Sequence, residues 1–326
     1  MSFFVHGALY GAVLLSLLLG ATAMGIWFER KLAGRMQSRI GPNRVGPIGL
    51  LQPIADFMKL LQKEEIVPVG VDGPVFKLAP LVAGVCAFGV AAVVPFGPDL
   101  VGADLDVGVV YILALGSLTA IAVFMAGWGS NNKYALLGGM RAIGQAISYE
   151  VPLVLCALVP VILAGSMNVS AIVRWQAAHH WIAVWPTLPG LPAFVIFFMC
   201  LLAESNRIPF DIPEAESELV AGVTTEYTGM KFALFYLGEY FHTLVGSAVG
   251  AALFLGGWDG PFFPGVGWMV GKTIVLFALV YWVRWTLLRL RSDQLLAFAW
   301  RYLVPVSVAL VLLAALWVAL GLGGSS

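Results

Sequence analysis

Residues 142–164, AIGQAISYEVPLVLCALVPVILA, form a long apolar stretch with one carboxylate, Glu150, in its first half. A helix needs about 20 mainly apolar residues to cross the hydrocarbon core of a bilayer, and this stretch is long enough. Outward from it, stretches of the same kind lie at about 3–27, 77–96, 107–129, 181–203, 232–256, 266–283 and 302–322. The expected fold is an all-α polytopic membrane protein: about eight transmembrane helices in a single integral membrane domain, 1–326. Pro186, Pro189 and Pro192 interrupt the fifth stretch, which a bundle tolerates where neighbours satisfy the freed carbonyls.

Composition agrees. The chain of 326 residues is 60% hydrophobic and 11% charged, with a mean hydropathy of +0.91. Soluble domains carry roughly 25% charged residues. Three cysteines exclude a disulfide scaffold, and 20 Phe and 11 Trp exclude disorder. The net charge of zero points to no nucleic-acid partner.

Charge placement orients the chain. Ala21-Thr22-Ala23 resembles a cleavage site, but no Lys or Arg precedes the first apolar run, and Arg30, Lys31, Arg35 and Arg39 follow it. A retained first helix with its N-terminus outside is expected. The inner segments are then 28–76, 130–141, 204–231 and 284–301. They hold or border 16 of the 18 Lys and Arg; only Arg174 and Lys272 lie near the other side. Within 28–76, Leu50, Leu51, Ile54, Phe57, Met58 and Leu61 recur at helical spacing opposite Gln52, Asp56, Lys59, Gln62 and Lys63. That pattern predicts an amphipathic helix lying in the interface. The outer connection 165–180 is expected to lie flat on the membrane, with Trp27, Trp128, Trp258 and Trp268 as interfacial anchors.

A carboxylate in hydrocarbon costs about 2.5–3.5 kcal/mol on insertion scales, so each one asks for a reason. Glu150, Glu204 and Glu239 sit at comparable depths in three different spans, near Gln145, Tyr149, Tyr240 and His242 in sequence. They are either acids that pin helix packing or members of a proton path, and three in one chain favour the path. The inner loop 204–231 is acidic on the side where positive charge is the norm. Its body holds Asp211, Glu214, Glu216, Glu218 and Glu226 against Arg207 and Lys231. Either it is a solvated loop, or it forms a docking floor or lined cavity opposite the basic segment Arg30–Arg44. Cys86, Cys156 and Cys200 are isolated, and no phosphate-binding glycine motif occurs.

Four strings carry a resemblance: Glu29-Arg30-Lys31, GPNRVGP at 41–47, the run from Lys133-Tyr134 to Ser148-Tyr149-Glu150, and AESNR at 203–207 continuing through PFDIPEAESELVAG to Glu226-Tyr227. From about residue 20 to 305 the chain resembles the H subunit of respiratory complex I, the proton-pumping NADH:quinone oxidoreductase. The resemblance implies a membrane component, a non-catalytic-cofactor part of a translocase, that helps form the quinone-binding channel. It implies that Glu150, Glu204 and Glu239 belong to a buried carboxylate chain relaying protons or charge. It further implies a quinone channel bordered by Glu29, Arg30, Arg35, Arg39, Phe210, Asp211, Glu214, Glu216, Glu218 and Glu226.

No cofactor is expected in this chain. Quinone would be the substrate, with FMN and iron–sulfur clusters in partner subunits. Implied partners are the other membrane-arm and peripheral-arm subunits and the lipid bilayer. The implied location is a bacterial plasma membrane, or the mitochondrial inner membrane in a eukaryote. One departure is Leu288-Arg289-Leu290-Arg291-Ser292-Asp293-Gln294, where the family usually reads Pro-Arg-x-Arg-Tyr-Asp-Gln. The rival readings are a quinone-independent membrane component of a hydrogenase-type complex and a stand-alone ion transporter.

Overall fold

The computed structural model describes residues 2–184, 189–214, 216–262 and 265–321. Twelve α-helices occur among them, with three short 3-10 or π turns and no strand. The expected spans correspond to α1 (Ser2–Met36), α3 (Gly73–Val93), α4 (Gly108–Gly129), α5 (Lys133–Ala164), α7 (Gly190–Glu204), α9 (Gly229–Phe254), α10 (Val266–Thr286) and α12 (Val304–Ala319). Six of the helical stretches are long and apolar enough to cross a membrane. The other two differ for physical reasons. The α7 helix is only 15 residues long, and α9 carries Lys231, Glu239 and His242. The chain is a multi-pass, all-α membrane protein.

Boundaries differ from expectation where polar residues are helical. Helix α5 begins at Lys133, with the Asn132 side chain accepting from the Tyr134 amide, so it absorbs most of the segment 130–141. Helix α1 runs on through Arg30, Lys31 and Arg35 to Met36. The fifth span begins at Gly190 rather than 181, and Pro186 lies outside the described residues. Before α12 comes α11 (Ser292–Phe298), joined to it by a wide π turn at Ala299–Leu303.

The amphipathic helix is α2 (Gln52–Gln62). Its apolar residues Ile54, Phe57, Met58 and Leu61 are exposed, while Pro53 is buried. The polar face is tied inward, with Asp56 accepting from Arg30 at 2.5 Å and from Gln52 at 3.1 Å. A helix that turns apolar side chains outward suits a lipid interface. The connection 165–180 forms α6 (Val169–Ala178), and its Val169, Ile172, Val173 and Gln176 pack into the bundle. Trp258 is also buried, at 4% exposure, so it is a core residue and not an interfacial anchor.

Helix α9 is the axis of the site. It packs against α1, α2, α3, α6, α7 and α10, while α5 packs against α4, α7 and α12. The acidic loop between α7 and α9, which includes the single-turn α8 (Glu216–Leu219), lies close on α5. A Cβ on Gly222, whose φ is +52°, would collide with the Pro213 carbonyl oxygen, so that turn requires glycine.

Candidate functional site

The polar groups of the bundle gather in two connected clusters. In the first, Glu204 at the end of α7 places Oε1 3.2 Å from Nε2 of His242 on α9. A Cβ on Gly116 would collide with that same oxygen, so the glycine of α4 makes room for the carboxylate. Glu150 and Glu204 line one cavity of about 40 Å³ with Gln145, Tyr149 and Asn206. That is space enough for ordered water. Gln145 Nε2 donates to the Ala203 carbonyl at 2.6 Å and so holds the end of α7 against α5. Pro152, inside α5, cannot donate back to the carbonyl of residue 148, which frees polar backbone two residues from Glu150. Phe210 packs edge-on against Tyr149, with ring centroids 5.2 Å apart.

The second cluster surrounds Arg207, which is 3% exposed. Its Nη2 lies 3.4 Å from Oε2 of Glu239, and its guanidinium stacks over Tyr240 at 4.6 Å. Tyr240 donates to Glu29, and Arg284 donates to the other oxygen of the same carboxylate. Tyr236 stands 3.2 Å from the Tyr240 hydroxyl. Asp211 reaches this group from the loop. Burial, then the neighbouring Glu214, pushes its carboxyl up to about 6, against Arg289, Arg284 and Arg207.

Nine buried side-chain polar atoms lack a hydrogen-bond partner among the described residues, and six belong to these two clusters. They are Gln145 Oε1, Arg207 Nε and Nη2, Asp211 Oδ1, His242 Nδ1 and the Tyr281 hydroxyl. Buried polar groups are nearly always paired, so such a concentration marks a place with work other than stability.

A third feature opens beside them. Helices α1, α2 and α9 enclose an apolar cavity of about 250 Å³ lined by Ile26, Phe57, Leu60, Ala233 and Tyr236, with the Arg30–Asp56 ion pair in its wall. Tyr236 belongs to both the cavity and the Glu29 cluster, so the two are one hydrogen bond apart.

The expected site residues are therefore dispersed. Glu150, Glu204 and Glu239 fall in the clusters, as do Glu29 and Asp211, and Glu214 acts on Glu239 electrostatically. Arg30 borders the apolar cavity. Arg35 and Arg39 line a separate surface groove with Trp27 and Lys31. Glu218 is exposed and pairs with Arg141 at 2.5 Å, and that hydrogen bond holds its carboxyl below the ordinary carboxylate range. Glu226 accepts from Asn132 at 2.5 Å beside the start of α5. The Glu216 side chain lies outside the described residues. Arg284, Tyr281 and Asp56 join the site without having been expected there. Arg284 and Tyr281 share one side of α10 at a three-residue spacing, a signal that could have found them.

Residues 9–315 match the NADH dehydrogenase family. The chain is 49% identical over 307 residues to the H subunit of NADH-quinone oxidoreductase from Dehalococcoides mccartyi strain CBDB1, covering 94% of this chain and 85% of that one. The chain belongs to this family. The H subunit from Brevibacillus brevis is 48% identical over 308 residues, covering 93% of this chain and 90% of its own length. That from Anaeromyxobacter dehalogenans is 44% identical over 323 residues, covering 91% and 78%. As an H subunit, the protein is a membrane component of NADH:quinone oxidoreductase, and other subunits of that complex are its partners. Among the described residues no group of three or more His, Cys, Asp or Glu could hold a metal ion.

Proposed function

We propose that this chain forms part of the quinone channel and couples quinone reduction to proton translocation through its buried carboxylates. The observation that carries the proposal is the contact sequence from the apolar cavity inward. Tyr236, Tyr240, Glu29, Arg207 and Glu239 form a cluster of neighbours, linked through Tyr240 and Arg207. Glu239 lies three residues from His242 on α9, and His242 meets Glu204 in the cavity it shares with Glu150. An isoprenoid tail fits the apolar walls, and the Arg30–Asp56 pair and Tyr236 offer polar contacts to a headgroup.

Reduction of a quinone to quinol takes up two electrons, supplied by the FMN and iron–sulfur clusters of partner subunits, and two protons. Charge added near Glu29 acts on Arg207 and Glu239. Two unit charges 4 Å apart interact by about 4 kcal/mol at a protein-like dielectric, enough to shift a proton between neighbouring carboxylates. Arg207, a fixed cation, favours whichever of Glu29 and Glu239 is ionised. The unpartnered atoms of Gln145, His242 and Tyr281 are the donors and acceptors a water chain would use.

In this reading the inner segments 28–76, 130–141, 204–231 and 284–301 face the cytoplasm of a bacterium. The basic and acidic loops there meet the peripheral arm, and α2 lies in the lipid interface. The relatives bear the name NADH-quinone oxidoreductase, which favours this over the hydrogenase-type or transporter readings. Glu150→Gln and Glu204→Gln in the intact complex test it. Each is expected to assemble normally and to lose proton pumping coupled to quinone reduction, whereas wild-type pumping from both rejects the relay.

A further inference from the structure

The outer end of α9, remote from the basic segments, holds a charge that the proposed relay does not use. Lys272 on α10 is 9% exposed. Its ammonium donates to the carbonyls of Leu255, Gly257 and Asp259, the Gly257 bond being 3.0 Å. It also sits 3.9 Å over the Trp181 ring, while the Asp259 carboxylate is engaged by the Trp181 indole N–H at 3.0 Å. Carbonyls thus take up the ammonium directly, and the Asp259 carboxylate acts on it electrostatically. Arg174, the other cation at this end, is a contrast: its side chain is 64% exposed, 3.8 Å from Asp104.

Helices α9 and α10 pack along a seam between the relay and this charge. Lys272, Leu276, Val280 and Arg284 share one side of α10, with Arg284 in the Glu29 cluster about 18 Å away along the axis. On α9, Glu239 is followed at four-residue steps by the buried hydroxyls of Thr243 and Ser247. Thr273 adds a third buried hydroxyl on α10. Polar atoms therefore continue from the relay for about 12 Å toward the outer surface, and Lys272 stands beyond them.

We infer that Lys272 is an electrostatic seal: its carbonyl-bound ammonium closes the outer end of the α9/α10 seam and prevents protons of the relay from leaking across the membrane. A fixed positive charge in a pore is a known barrier to proton and cation passage. At a dielectric of about 20, one unit charge 10 Å away lowers hydronium occupancy roughly tenfold. Capping the carbonyls after α9 would need only a neutral donor; closing the seam needs the charge.

The inference rests on the proton-relay reading, and its test separates the two. Intact complexes carrying Lys272→Gln, Lys272→Met or Lys272→Arg are placed in liposomes, and passive proton conductance is measured with turnover stopped. The neutral variants are expected to conduct protons several-fold to tenfold faster than wild type, with quinone reduction rates retained, while Lys272→Arg stays tight. Neutral variants that assemble and stay tight overturn the seal. Should they fail to assemble, Lys272→His decides, its leak being compared with wild type at alkaline pH, where the imidazole is neutral. A raised leak supports the seal, and a tight membrane overturns it. Because no turnover is needed, the result stands apart from whether Glu150 and Glu204 couple pumping.

Discussion

Helix α9 passes through two polar regions that solve opposite problems. At its outer end the polar groups are closely paired. Gln176, with no exposure, donates to the Ala252 and Leu253 carbonyls and accepts from the Ile182 and Gly256 amides. Lys272 takes three further carbonyls. At mid-helix the polar atoms outnumber their partners: Arg207 leaves two nitrogens without a hydrogen bond and His242 one. The first region is built as a helix terminus must be, with its orphan carbonyls satisfied. The second keeps unsatisfied capacity in low dielectric, where each unpaired group costs about 1–3 kcal/mol. Stability is served by the first, where Lys272 adds the inferred seal, and the proposed proton relay by the second.

Substitutions can break that contrast. The largest effect is expected from Arg207→Met, which strands Glu239 without its cation, while Glu29 keeps Arg284. Removing one partner of a buried pair costs about 3–5 kcal/mol, so a steep fall in the amount of assembled complex should appear on native gels. Gln176→Leu comes next: four backbone groups lose their partner, and thermal stability should drop by about 2–4 kcal/mol. The turnover of the surviving Gln176→Leu complex should stay near wild type. A Gln176 variant with normal stability and lost turnover would reverse the assignment of the two regions.

Asp211 sharpens the contrast through pH. Its carboxyl titrates at about 6 in the protein, above the ordinary 3.8, so the folded state holds the proton more tightly than the unfolded chain. Stability should therefore decline as pH rises from about 4 to about 6, and the negative charge in the loop should be lost as pH falls through about 6. The quinone reduction rate of wild type is expected to change near that pH, and Asp211→Asn should flatten the step. The smallest effect belongs to Glu218→Gln. Its exposed pair with Arg141 contributes little, as surface ion pairs do, and assembly and activity should be indistinguishable from wild type.

Much of this architecture is legible in the sequence because hydrocarbon leaves few options. Apolar length announces a helix, and the distribution of Lys and Arg suggests its direction. The amphipathic period of 50–63 points to α2 and even to its outward apolar face. Boundaries are less legible because polar residues such as Lys133 and Arg35 extend helices beyond the apolar stretch. Pairing is illegible. Glu29 and Arg284 are 255 positions apart, and Arg207 looks like a loop residue until Tyr240, Tyr281 and Glu239 close around it. Trp258 misleads for the same reason: a tryptophan near a span end reads as an anchor unless its neighbours are known.

The central claim is that buried carboxylates change protonation when quinone is reduced. Redox-induced infrared difference spectroscopy on the intact complex reads this directly in the carboxyl C=O stretch. The account predicts a quinone-dependent band that weakens in Glu204→Gln and in Glu239→Gln at equal levels of quinone reduction. A band unchanged in both variants would mean that these acids keep one protonation state throughout, which contradicts the relay.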